Sequence, residues 1–199
     1  MKAILISIQP QHIKNICTII GYENKKPIYK KTAEIRKTCP KIKPPFKCFI
    51  YCTRGQYFFF KEQINLGDFT GYENVPNTLT MWNQKVIGEF TCDRIYKTIM
   101  FDEKAKMYLW GNDFVNKETC LSSKEMNDYG KGKPLYGLHI SNLKIYDKPK
   151  EISEFKKAGF MTEEEWLFNL YPNTHCHYEA WVKKFNIDRP PQSWCYVEI

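Results

Sequence analysis

The sequence predicts an α+β fold: a small mixed β-barrel with flanking helices. Three observations point there. Segments such as KKTAEIRK (30–37) and KVIGEFTCDRI (85–95) alternate apolar and polar residues with a period of two, the mark of strands with one buried face. The helical patterns are short and fall between strands with no repeating β-α-β rhythm. A chain of 199 residues that is 43% hydrophobic and 26% charged buries a sizeable core as one domain over 1–199.

Taken in order, KAILISI (2–8) reads as a buried strand. Pro10 opens an amphipathic helix through PQHIKNICTII, with Ile13, Ile16, Cys17 and Ile20 at helical spacing and Gly21 as its stop. GYENKKPIYK is expected to be a loop, KTAEIRK the second strand, and KIKPP a turn into FKCFIYC, the third. Residues 53–83 mix an aromatic run with turn formers and read as an irregular excursion. KVIGEFTCDRI offers Val86, Gly88, Phe90 and Cys92 to the core, with Gly88 marking a bulge or a close approach. A strand pair follows near 96–101 and 106–110. Leu121 to Glu125 holds a capping-box start for a helix that runs to Tyr129 and stops at Gly130. PLYGLHISNLKIYD (134–147) reads as one long strand, and the chain from Lys150 as helical, with a second capping box at 162–165. HCHYEAWVKKF (175–185) is the last helix, and RPPQSWCYVEI ends in a returning strand.

No apolar run approaches the ~18 residues that would span a bilayer, so no membrane partner is expected. MKAILISIQPQH turns polar too soon for a signal peptide. The eight cysteines include no Cys-x-x-Cys pair, and several sit in apolar strand-like runs. Reduced, buried thiols in a cytoplasmic protein account for that pattern.

The formal charge of +8 is concentrated. Residues 25–47 carry nine Lys or Arg and one acid, Glu34, whereas the rest of the chain balances 21 basic against 21 acidic residues. A charge excess of that density suits a polyanion rather than an uncharged small molecule. Within it, Glu34 and Arg36 fall on one face of a predicted strand, and Lys31 precedes them. Arg36 offers a planar fork to a phosphate or a base edge, Lys31 a point charge, and Glu34 an acceptor for an exocyclic amine. Lys30, Thr32 and Lys37 flank them as candidate nucleic-acid contacts. A structural Glu–Arg pair is the plainer alternative.

Elsewhere, Ser141 and the segment Gln192, Ser193, Trp194 and Tyr196 are candidates to line the same cleft, Trp194 being equally suited to plugging the core. His139 is expected to be a satisfied strand histidine. His175 and His177 lie on different faces of a helix and lack a second ligand pair, so neither a metal nor any other cofactor is expected.

ISIQPQHIKNI with Gly21, KKTAEIRK in place of a G-x-K-x-x-E-x-R pattern, FKCFIYCT, KVIGEFT and YGLHISNLKIYDKPKEISEF together resemble the ASCH domain, a branch of the PUA-like superfamily. The ending RPPQSWCYVEI is similar to that of longer ASCH-like proteins of phages and prophages. The family places its glycine directly before the lysine, whereas here residues 22–30 separate Gly21 from Lys31. The helical stretch 158–187 is an insertion relative to the minimal domain.

The resemblance implies a PUA-like barrel that engages RNA or a modified nucleotide, with Lys31, Glu34 and Arg36 in a cleft and the lysines of 25–47 around it. It also raises a hydrolase alternative, because some relatives are ribonucleases and others deacetylate acetylated cytidine using a lysine and a threonine three positions on. Lys31 matches that lysine, but Glu34 stands where the threonine would be, leaving Lys31 and Glu34 as the catalytic candidates. A third expectation is a phage-encoded inhibitor that docks on a host protein.

Overall fold

The segment KAILISI becomes strand β1 (Lys2–Ile8), and every residue after Lys2 in it is buried. A strand hidden on both faces belongs in the middle of a sheet. The structure, a computed structural model, describes residues 2–55, 82–102, 104, 107–110, 116–161, 164–165 and 175–198. After β1 come α1 (Pro10–Cys17), β2 (Ile19–Glu23), β3 (Lys26–Tyr29), β4 (Ala33–Arg36) and β5 (Phe46–Cys52). Then follow β6 (Val86–Cys92), β7 (Ile95–Asp102), β8 (Met107–Trp110), α2 (Asn116–Thr119) and α3 (Ser123–Gly130). The chain continues with β9 (Tyr136–His139), β10 (Ser141–Lys150), a 3-10 turn (Ile152–Glu154), α4 (His175–Phe185) and β11 (Trp194–Glu198). The α+β class holds.

One sheet runs β10-β6-β5-β1-β11, a second β4-β9-β7-β8, and β2 with β3 forms a separate two-stranded ribbon. Among the described residues only β1 and β5 pair in parallel; the other pairs are antiparallel. Period-two alternation splits β1 between two cores. Ile4, Ile6 and Ile8 pack with Ile13 and Ile16 of α1 and Leu138 of β9, so this core reaches the second sheet. Ala3 and Leu5 face the opposite way, onto Phe49, Val86, Phe155 and Ile187. A third cluster sets Ala33 and Ile35 of β4 against Met126 of α3, Tyr108 and Leu135.

The structure corrects four expectations. Helix α1 ends at Cys17, and Ile20 is 64% exposed instead of on a buried helical face. Thr18, Ile19 and Ile20 are β-branched and lose side-chain freedom in a helix, so they continue as a strand. The expected loop GYENKKPIYK lies within the β2–β3 hairpin, turned at Asn24 and Lys25 with φ of 48° and 64°. Two successive positive φ values are what a tight two-residue hairpin turn needs.

The long strand expected over 134–147 is two strands in different sheets. They part at Ile140, whose N–H bonds to the Thr32 carbonyl, and Asn142, the second residue of β10, has a φ of 50°. The chain from Lys150 is a 3-10 turn followed by extended backbone that bridges to Asn186 and Val197. The excursion near 53–83 and the capping box at 162–165 fall largely outside the described residues.

Candidate functional site

Strand β4 carries the centre of the site. Its alternation sends Ala33 and Ile35 into the third core cluster and leaves Glu34 and Arg36 on the other side. Lys31, just before the strand, turns back so that its Nζ lies 2.7 Å from Glu34 Oε2, and Arg36 holds Glu34 Oε1 at 2.6 Å. Arg36 also donates to the Ser7 carbonyl at 2.7 Å and to the Ile35 carbonyl at 3.1 Å, fastening β4 to the end of β1. All three charged residues are buried, Lys31 at 1%, Glu34 at 3% and Arg36 at 8% exposure.

Burial opposes ionisation of Glu34, but Lys31 first and then Arg36 outweigh it and hold the carboxyl below its usual range. Arg36 Nε is buried with no hydrogen-bond partner among the described residues, a donor left over after the fork is satisfied.

The triad lines a cavity of about 280 Å³. One wall comes from the first turn of α1, where Pro10 starts the helix and presents Gln11 and His12. The facing wall is α3, which supplies Glu125, Asp128 and Tyr129, with Leu121 and Ile35 as apolar surface. The α3 wall is set by its capping box. Ser122 donates from its N–H at 2.8 Å and its Oγ at 2.7 Å to Glu125, and Glu125 N–H donates back to Ser122 Oγ. Those bonds hold the Glu125 carboxyl below its ordinary value. Burial, then Lys31, lowers the pKa of His12, so the imidazole is neutral at pH 7. Lys37 places its ammonium 4.6 Å from the centre of the Tyr129 ring at the margin of the cavity.

The other expected site residues lie apart from this cavity. Lys30 is exposed. The backbone of Thr32 is used up, its N–H on the Glu118 carbonyl and its carbonyl on Ile140 N–H. Ser141 Oγ donates to the Thr91 carbonyl across the β10–β6 pair. Gln192 is exposed, and Trp194 donates from Nε1 to Thr38 Oγ1 at 3.0 Å while packing against the first core. His139 is satisfied as expected, between Asp93 and Arg94. Among the described residues no three His, Cys, Asp or Glu groups gather around a metal position. The side chains of His175, Cys176 and His177 lie outside the described residues.

The lysines of 25–47 do not all ring one cleft. The segment crosses from the hairpin through β4 to β5, in three different sheets, and its charges go with it. Lys25 and Lys26 stand at the hairpin turn, Lys41 lies beside Tyr196, and Lys47 pairs with Glu89 at 3.0 Å. The cavity itself sets two cations, Lys31 and Arg36, against three carboxylates, Glu34, Glu125 and Asp128. Gln11, His12 and the α3 residues were not foreseen as site residues. The helix start at Pro10 and the capping box at Ser122 were legible, but nothing in one dimension showed that the two face each other.

The sequence matches no family model and no curated protein. Among solved structures, the chain is similar to the crystal structure of ASCH from Zymomonas mobilis. Identity is 16%, the TM-score 0.51, and the match covers 98% of this chain and 87% of that one. Two single-residue mutants of the same protein match at the same identity and TM-score, one with tyrosine replaced by phenylalanine and one with serine replaced by alanine. They cover 100% and 98% of this chain and 91% and 88% of theirs. The chain has the ASCH fold. Residues 22–30 make up most of the β2–β3 ribbon and lead directly into Lys31 of the cavity.

Proposed function

We propose that this ASCH-fold protein binds nucleic acid, RNA by preference, by taking a base into the cavity between α1, β4 and α3. The observation that carries the reading is the buried Lys31–Glu34–Arg36 triad lining a cavity of about 280 Å³. Buried charges cost several kcal/mol each to desolvate, and a purely structural pair would not need an opening beside it. Donors (Arg36, Lys31, Gln11) and acceptors (Glu34, Glu125, Asp128) face one space, with Tyr129 as a stacking surface. Three carboxylates repel a phosphate from the interior, whereas the edge of a neutral base, with its own donors and acceptors, matches both signs. Phosphates then belong outside, on exposed lysines.

The test is titration of a short labelled single-stranded RNA by fluorescence anisotropy at two salt concentrations. Arg36→Lys keeps the charge but removes Nε, the guanidinium donor with no partner among the described residues, and an affinity about tenfold weaker is expected, the worth of one hydrogen bond to a charged group. A wild type that fails to bind at low salt, or a folded Arg36→Lys protein that binds as well as wild type, refutes the reading.

A second reading, hydrolysis of RNA or of a modified nucleoside, draws support from His12. A neutral imidazole beside Lys31 and Glu34 can accept a proton at pH 7. Turnover of labelled RNA or acetylated cytidine that His12→Ala abolishes, with binding retained, would favour it.

A further inference from the structure

We infer that the β2–β3 ribbon is an arm that carries the strand leading away from the bound base, with Tyr22 as a stacking platform and Lys25 and Lys26 on the phosphates. The inference rests on the nucleic-acid reading above and extends its footprint beyond the cavity.

Three large hydrophobic side chains stand exposed among the described residues, and all three are on this one ribbon: Ile20 at 64%, Tyr22 at 67% and Ile28 at 40%. Scattered apolar exposure is ordinary, but concentration on one projecting element marks an interaction surface. The register places Tyr22 opposite Pro27, so both point to one face, and Glu23 opposite Lys26 at the turn. The ribbon is anchored where the cavity begins. Lys30 N–H donates to the Thr18 carbonyl, and Lys31 N–H to the Asn15 carbonyl at the end of α1. Five residues of strand extend about 17 Å, the rise of about five nucleotides at 3.4 Å each.

Charge and chain chemistry select the occupant. Lys25, Lys26 and Lys30 outnumber Glu23, the ribbon's acid, and favour a polyanion. Pro27 in β3 and the lysine beside it are features that discourage a protein strand from adding to the edge. An exposed aromatic ring flanked by ammonium groups is instead the pattern that holds single-stranded nucleic acid without reading its sequence.

The experiment compares a mononucleotide, which only the cavity can hold, with a twelve-nucleotide single-stranded RNA, on the full chain. Tyr22→Ala is expected to weaken the longer RNA about tenfold while leaving mononucleotide binding unchanged, and Tyr22→Phe to retain wild-type affinity. Lys25→Ala with Lys26→Ala should lower the slope of log affinity against log salt by about 1.4, at about 0.7 for each single-strand phosphate contact. If the twelve-mer binds in an Arg36→Lys-sensitive way but ignores Tyr22→Ala and the double lysine variant, the arm is refuted and the cavity reading stands. If neither probe binds wild type, both fall. Loss of an acidic protein partner on Tyr22→Ala, with RNA affinity intact, would overturn the arm in favour of a protein-docking ribbon.

Discussion

Glu34 is ionised in a place that would otherwise forbid it. Two cations within 2.7 Å overcome the cost of burial and keep its carboxyl below the ordinary 4.5. A depressed carboxyl contributes stability that is complete above its unfolded value and lost as pH falls through the folded one. His12 has the same sign in a higher window. Its pKa lies below the ordinary 6.5, through burial and then Lys31 and Arg36 against Glu34 and Glu125, so the unfolded chain takes up protons first. Stability should therefore fall in two stages on acidification, from about neutrality for His12 and then below 4.5 for Glu34. Urea midpoints measured against pH should show His12→Gln abolishing the upper stage alone, and an unchanged upper stage would contradict this assignment. The triad was legible in the sequence because Glu34 and Arg36 lie two residues apart on one strand. His12 was not, since no local pattern ties the first turn of α1 to a residue nineteen positions on.

At the scale of elements, patterning located strands better than it located their ends and partners. β1, β5 and α4 fall on the expected segments, because a continuous apolar run or a helical stripe is set by the residues it contains. The ribbon was hidden because its turn residues, Asn24 and Lys25, lack the glycine that usually signals two positive φ values. Gly130 misled in the opposite direction. It ends inside α3 while Lys131 takes the left-handed position, and a Cβ at 130 would fall 1.8 Å from Tyr108 Oη. Gly88 was read correctly as a close approach: a Cβ there would lie 2.4 Å from the Lys144 carbonyl, between β6 and β10. Because the obstacle is backbone, Gly88→Ala should cost about 1–3 kcal/mol, seen as a lower urea midpoint. Gly21→Ala, whose Cβ meets only Ile28 Cδ1 at 3.9 Å, is the control and should leave that midpoint nearly unchanged.

Across the whole molecule, the sequence excess of +8 is spread over surfaces with different chemistry. Lys47 is paired with Glu89, and Lys85 with Glu151. Lys2, Lys41 and Lys157 line a separate groove of about 500 Å³ beside Tyr196. That groove lies at the Lys2 end of β1, whereas Arg36 grips Ser7 near the other end. Five residues of strand separate the two by about 17 Å, twice the ~8 Å over which charges are screened at physiological ionic strength. Two double variants that remove equal charge therefore distinguish local from global attraction. Lys25→Ala with Lys26→Ala should weaken RNA binding several-fold at physiological salt, while Lys41→Ala with Lys157→Ala should change it less than twofold. Equal losses would mean that net charge alone draws the ligand. The ribbon would then have no claim to be where the phosphates bind.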